Sequence, residues 1–193
     1  MPAYYYLRST LPTLLPASAP PFSFRGFLDR CEGRMRDADF LVLAAAGDPE
    51  AEDAETARRV RASRVLSAYR TWDKALRNEL ARLRAHRLGR APEKFLRPGD
   101  PEWDGIRAAQ AAAQCEDPLE GELIIEREKW AYLERLEAGH HFDLEALAAY
   151  ALKLRILERK ALFEAERGEA SYRTAYHEIL DTAEAPPADG LGA

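Results

Sequence analysis

The residues that most invite a metal or nucleophilic reading are the chain's four histidines and two cysteines. His140 and His141, with Asp143 and Glu145 just beyond, stand close enough in sequence to suggest a metal cluster. Adjacent histidines at a helix end do not converge as i, i+4 ligands do, however, and no HExxH-type spacing is present. A helix C-terminus followed by a turn accounts for them. His86 and His177 are isolated. Cys31 and Cys115 are far apart and in no metal-type spacing, which fits a reduced, cytoplasmic setting. There is no GxSxG elbow and no G-x-x-x-x-G-K-[ST] phosphate loop. Carboxylates are abundant, but they fall on positions that read as exposed helix, which argues against paired-carboxylate hydrolysis. The expectation is a non-enzymatic protein with no catalytic residue, cofactor or metal site.

The stretch "WDKALRNELARLRAHRLGRAPEKFLR", residues 72–97, is the strongest remaining candidate. Tyr69, Trp72, Leu76, Leu80 and Leu83 lie on one side at helical spacing, and Arg70, Lys74, Arg77 and Arg84 lie on another. The chain as a whole carries a formal charge of −5, so this cationic side runs against the bulk balance. Such a face can be merely solvated, its cations paired with acids elsewhere in the chain, or it can dock an acidic partner. Nucleic acid is disfavoured, because no helix-turn-helix, RNA-recognition signature or zinc finger accompanies the charge. Arg70, Lys74, Arg77 and Arg84 are therefore the candidate partner-docking residues.

The elements that would position them read mostly as α-helix. With 193 residues, 47% of them hydrophobic, the chain can bury a core without disulfides or metals. No apolar run reaches the roughly 20 residues of a membrane span, and no signal peptide is apparent. The opening "AYYYLRSTLP" reads as a short extended or β segment, with Tyr4, Tyr5 and Tyr6 alternating between core and surface. Ser23 can cap a helix that ends at Gly33, and Asp37 one that ends at Gly47. A long helix is expected from near Ala54 to Leu88, stopped by Gly89. The Pro/Gly-rich "APEKFLRPGDPEW" suggests a hinge near 91–103. Asp100 with Pro101 opens a short helix through Ala113. Asp117, Pro118 and Glu120 open another, which closes at Gly139. Asp143 caps the next, to Gly168, and Ser171 a last one. The pattern predicts one helical domain over 1–182, a bundle of about six to seven helices, and a disordered tail over 183–193.

Helix faces add detail. Leu144, Leu147, Tyr150, Ala151, Leu154, Leu157, Ala161 and Leu162 fill a wide arc, flanked by Leu152, Ile156 and Phe163, leaving Lys153, Lys160 and Glu164 as a narrow polar stripe. A helix apolar around most of its circumference is a central one. Arg155 and Glu158 fall within that arc and should pair with each other or with a neighbour. Glu126 interrupts the stripe Leu119, Leu123, Trp130, Leu133, and needs a cation or a hydrogen-bond donor if buried.

Three stretches also carry a resemblance: "YYYLRSTLP", the basic segment 72–97, and "LEAGHHFDLEALAAYALKLRILERKALFEAERGEASYRTAYHEIL". Together they resemble the DUF2764 family, bacterial proteins typically encoded among V/A-type ATPase genes. The second and third are also weakly similar to the C-type socket component of V/A-type ATPases (the d-type component of the eukaryotic enzyme), an all-helical socket between central stalk and rotor ring; the present chain is shorter. The resemblance implies a non-catalytic helical component of such a machine. Its partners would be the central stalk or rotor ring, and its place the cytoplasm or the periphery of the inner membrane through a membrane complex. A helical adaptor unrelated to rotary ATPases is the alternative.

Overall fold

A computed structural model describes residues 3–47, 53–98 and 106–163. The described residues are helical and contain no strand. In order they form α1 (Tyr5–Thr10), α2 (Phe24–Cys31), α3 (Asp37–Ala45), α4 (Ala54–Ala62), α5 (Arg64–Arg87), a 3-10 turn (Pro92–Phe95), α6 (Ile106–Gln114) and α7 (Pro118–Glu137). A last described helix, α8, covers 144–163. The expected caps at Asp100 and Ser171, the stop at Gly168, the polar residue Glu164, His177 and the tail 183–193 lie outside the described residues.

The N-terminal tyrosines form a helix rather than a strand. Tyr4, Leu7 and Leu11 are buried while Tyr5 and Tyr6 are exposed, a spacing of i, i+3, i+7 that belongs to one side of a helix. Tertiary bonds secure the piece: Tyr4 N–H donates to Phe142 O at 2.5 Å. The Tyr4 hydroxyl donates to the buried Asp39 carboxylate, which Arg36 also grips through Nε and Nη2. Asp39 needs that fork because it is buried, and Arg36 consequently occupies the cap position of α3. Asp37 is the first helical residue, not the cap.

The expected helix from Ala54 to Leu88 is broken at Ser63, whose extended φ/ψ of −109°/129° separates α4 from α5. Ser63 Oγ accepts from Leu66 N–H at 3.1 Å and donates to Glu145 Oε2 at 2.7 Å. The same carboxylate accepts from Arg64 N–H (3.0 Å) and Val65 N–H (2.8 Å). A helix start has backbone donors with no partner inside the helix, and here α8 supplies the acceptor. The stop is local: Gly89, at φ +62°, follows α5. Other caps behave as the residue types require, with Ser23 accepting from Gly26 N–H, Asp117 from Leu119 N–H, and Asp143 from Ala146 N–H.

Helix α8 is the axis of the main core. Leu147, Ala148, Ala149, Ala151 and Leu154 are fully enclosed, and Tyr150, Leu152 and Leu157 nearly so. Around them pack Leu7, Phe27, Leu43, Val60, Val65, Leu66 and Leu133. Lys153 is not on a solvent stripe: it is buried, salt-bridged to Glu137 at 2.6 Å and set over the Trp130 ring. Its long stem packs while its charge finds a carboxylate. Leu162, at the far end, is exposed instead of enclosed. The Arg155–Glu158 pair forms at 3.2 Å, at the edge of the arc, and Glu158 also accepts from Phe24 N–H.

A second core joins Trp72, Leu76, Ala109 and Ile125. It packs α5 against the hairpin of α6 and α7, with Trp72 stacked on Tyr132 at 4.5 Å. Gly121 allows α7 to lie against α6, since a Cβ there would fall 2.8 Å from Ala112 O. Within the expected hinge, residues 97 and 98 are clasped to α5. Asn78, buried, donates from Nδ2 to Arg97 O and accepts at Oδ1 from Arg97 N–H, at 3.0 and 2.9 Å. Lys74 Nζ donates to Pro98 O at 2.9 Å.

Candidate docking interface

All four candidate docking residues stand on α5, and the surrounding helices send them to three different places. Arg77 turns inward, bonding Asp73 Oδ2 through Nε at 2.7 Å. Arg84 is exposed at the far end, beside a 280 Å³ cavity that it shares with Arg87, Glu116 and Glu122. Arg70 and Lys74 remain together. They line a 380 Å³ cleft between α4, α5 and the 97–98 segment, along with Arg61 and Arg97. Arg61 and Arg97 are exposed, Arg70 and Lys74 half-buried.

A chain of alternating charges, buried at Asp73, Lys129 and Glu126 and open at its ends, lies behind this cleft. Arg77 bonds Asp73; Lys129 Nζ sits 3.7 Å from Asp73 Oδ1 and 3.5 Å from Glu126 Oε1. Arg159 then approaches Glu126 at 3.5 Å through Nε and reaches Glu122 at 2.7 Å through Nη2. The chain ties α5, α7 and α8 together along the floor of a 640 Å³ cavity that also has Phe22, Leu152 and Leu162 in its walls. Burial pushes the Glu126 carboxyl up, against the pull of Lys129 and Arg159. Burial also raises the Tyr69 hydroxyl well above its ordinary value, with Asp73 and Glu126 adding to the effect. Glu126 Oε2 accepts no hydrogen bond from the described residues.

The sequence flagged Glu126 as a carboxylate needing a cation, and it has two. Asp73 and Lys129 went unflagged, although each has a helical partner at a readable interval: Arg77 at i+4 and Glu126 at i−3. Arg61 and Arg97 had no such signal, because their place beside Arg70 and Lys74 depends on the break at Ser63 and on the Asn78 clasp.

The histidine pair sits at the α7–α8 turn. His140 Nδ1 lies 2.6 Å from Asp143 Oδ2. Burial opposes ionisation of Asp143, but the hydrogen bonds from His140 and from Ala146 N–H hold its carboxyl below the usual range. His141 and His86 are exposed. No group of three or more His, Cys, Asp or Glu able to hold a metal ion occurs among the described residues. Cys31 and Cys115 are free thiols, Cys31 buried and pushed up to about 12 by desolvation. No described helix is long and apolar enough to cross a membrane. What the arrangement offers chemically is cationic donors on a stiff helical frame. No protein-family model, curated protein or solved structure matches this chain.

Proposed function

We propose that this chain is a non-catalytic helical component or accessory factor of a bacterial V/A-type ATPase, with a role in coupling or assembly like that of the C-type socket. The observation that carries a docking role is the placement of α5. One side of it is packed into both cores, while Arg70 and Lys74 stand half-buried on a cleft whose walls are held by hydrogen bonds. A component that transmits force or assembles neighbours needs rigid helices and an oriented surface, and the enclosed α8 supplies the rigidity. Cations on such a surface steer an acidic partner and fix its orientation more than they add affinity. The ATPase assignment itself rests on the resemblance of the three sequence stretches; the partner would be the central stalk or the rotor ring. The test is affinity purification of the tagged chain from its native cells at low and moderate salt, with co-purifying proteins identified. Recovery of ATPase subunits in fixed ratio is expected. An intact ATPase from which this chain is absent would retire the assignment and leave a helical adaptor.

A further inference from the structure

We propose that Glu126 is a proton-operated latch on the seam between α7 and α8, in which uptake of one proton at Oε2 lets go of Arg159. The inference goes beyond the docking reading and does not depend on it. It begins with how unevenly the buried carboxylate is served. Glu126 is 5% exposed, and both of its cations stand at one oxygen. Lys129 Nζ and Arg159 Nε each lie 3.5 Å from Oε1. Oε2 is closed to solvent and accepts no hydrogen bond from the described residues. Charge-assisted N–H···O bonds close to about 2.7–2.9 Å, so neither contact is a strong one. A buried carboxylate held this loosely gains more from a proton than from its charge.

The neighbouring charges leave Glu126 as the group that titrates. From α5, Asp73 is held by Arg77 at 2.7 Å and by Lys129 at 3.7 Å, and burial keeps the Tyr69 hydroxyl protonated. From α7, Glu122 receives Arg159 Nη2 at 2.7 Å and is half-buried. From α8, Glu158 accepts from Phe24 N–H at 2.7 Å and pairs with Arg155 at 3.2 Å. Each of these carboxylates has a bond of 2.7 Å, whereas the contacts of Glu126 stop at 3.5 Å. The upward push of burial on its carboxyl agrees with that contrast.

Protonation strands no cation. Arg159 keeps Glu122, one turn before Glu126 on α7, and Lys129 keeps Asp73. The heavy cost of breaking a buried ion pair comes from a charge left unpaired, and here none is. The proton goes on Oε2, where no bond has to break. Oε1, then part of a neutral acid, no longer attracts the guanidinium. Ionised Glu126 ties α8 to α7 at two successive turns, through Glu122 and through itself. The neutral acid leaves only the outer tie. Because Oε2 is closed to solvent, nothing larger than a proton reaches it from the adjoining 640 Å³ cavity.

The experiment is a pH titration of the full chain by NMR, following glutamate side-chain carboxyl carbons and arginine Nε–H signals. Glu126→Gln and Arg159→Lys assign the two resonances. The Glu126 carboxyl should titrate above the ordinary 4.5, and Arg159 Nε–H should shift with the same midpoint. Glu126→Gln imitates the neutral acid and should hold the Arg159 signal at its low-pH position throughout. Glu122→Gln leaves Arg159 to Glu126 alone and should move the Glu126 midpoint down. Far-UV circular dichroism should not change across the transition. A Glu126 midpoint at or below 4.5 would overturn the proposal, as would an Arg159 signal that does not follow it. So would an Arg159 shift that persists in Glu126→Gln, since Glu122 would then be its cause. Loss of helical signal at the same midpoint would mean acid unfolding in place of a local release, and would overturn it too.

Discussion

Replacing Glu145 by alanine should destabilise the fold more than any surface change, because one carboxylate begins α5. Glu145 is 4% exposed and accepts from Ser63 Oγ, Arg64 N–H and Val65 N–H at 2.7, 3.0 and 2.8 Å. A hydrogen bond to a charged group contributes about 1.5–3 kcal/mol net. Interaction of a negative charge with a helix N-terminus adds about 0.3–1 kcal/mol, and more when partly buried. The three bonds share one side chain and are not additive. Ser63 is fully enclosed, so water cannot readily replace the lost acceptor. We expect Glu145→Ala to cost about 3–5 kcal/mol, a large part of the roughly 5–15 kcal/mol that holds a domain folded. Glu145→Gln keeps the volume but turns an amide toward backbone donors, and should cost about half as much. Ser63→Ala should cost about 1–2 kcal/mol through the lost cap. Because Ser63 and Glu145 are bonded to each other, the double mutant should fall short of the summed single effects by about 0.5 kcal/mol or more. Urea unfolding followed by circular dichroism, with linear extrapolation, measures all four. A cost below about 1 kcal/mol for Glu145→Ala, or strict additivity with Ser63→Ala, would refute the reasoning that α8 supplies the acceptor for α5.

Further outcomes follow from the same packing. Glu126→Leu should cost little or even stabilise, whereas Lys129→Met, which leaves Asp73 and Glu126 facing each other buried, should cost about 3–5 kcal/mol; equal, negligible effects in urea melts would mean that the charge chain carries no stability. The raised Glu126 pKa has a definite sign: the folded state holds that proton more tightly than the unfolded chain, so lowering the pH from neutral through the raised value should stabilise the parent relative to Glu126→Leu. The readout is an upward shift of the parent urea midpoint relative to that of the variant as the pH falls from 7 toward the ordinary carboxylate value of 4.5. Gly121→Ala would drive a Cβ to 2.8 Å from Ala112 O, and should cost about 1–3 kcal/mol while loosening the Trp72–Tyr132 stack seen by near-UV circular dichroism. Asn78→Ala should release the clasp on Arg97 and speed tryptic cleavage after Lys94, three residues upstream; unchanged cleavage would show that the two hydrogen bonds do not restrain the segment.

Much of the helical layout was legible because its signals are local. Ser23, Asp117 and Asp143 cap because a short oxygen-bearing side chain meets an orphan N–H a few residues on. Gly33, Gly89 and Gly139 all follow helices with positive φ, where glycine alone is unstrained. The enclosed α8 was visible as a helix apolar on nearly all sides. The tyrosines misled because three aromatics in succession resemble a strand, while the spacing that mattered was the longer one from Tyr4 through Leu7 to Leu11.

Residue order alone is enough for the fold class, most helix ends, the central place of α8 and the need of Glu126 for a cation. Each of these follows from residues within a few turns of one another. The break at Ser63 belongs to the assembled bundle, since Glu145 lies 82 residues away in sequence. So does the choice of which cations share a cleft. A helical wheel places Arg70, Lys74, Arg77 and Arg84 on one side, but Asp73 holds Arg77 in an ion pair, and Arg84 stands at another cavity. The Ser63 break and the Asn78 clasp instead bring Arg61 and Arg97 to Arg70 and Lys74. Periodicity assigns a side chain to a face; which face meets which neighbour depends on packing between segments remote in the chain.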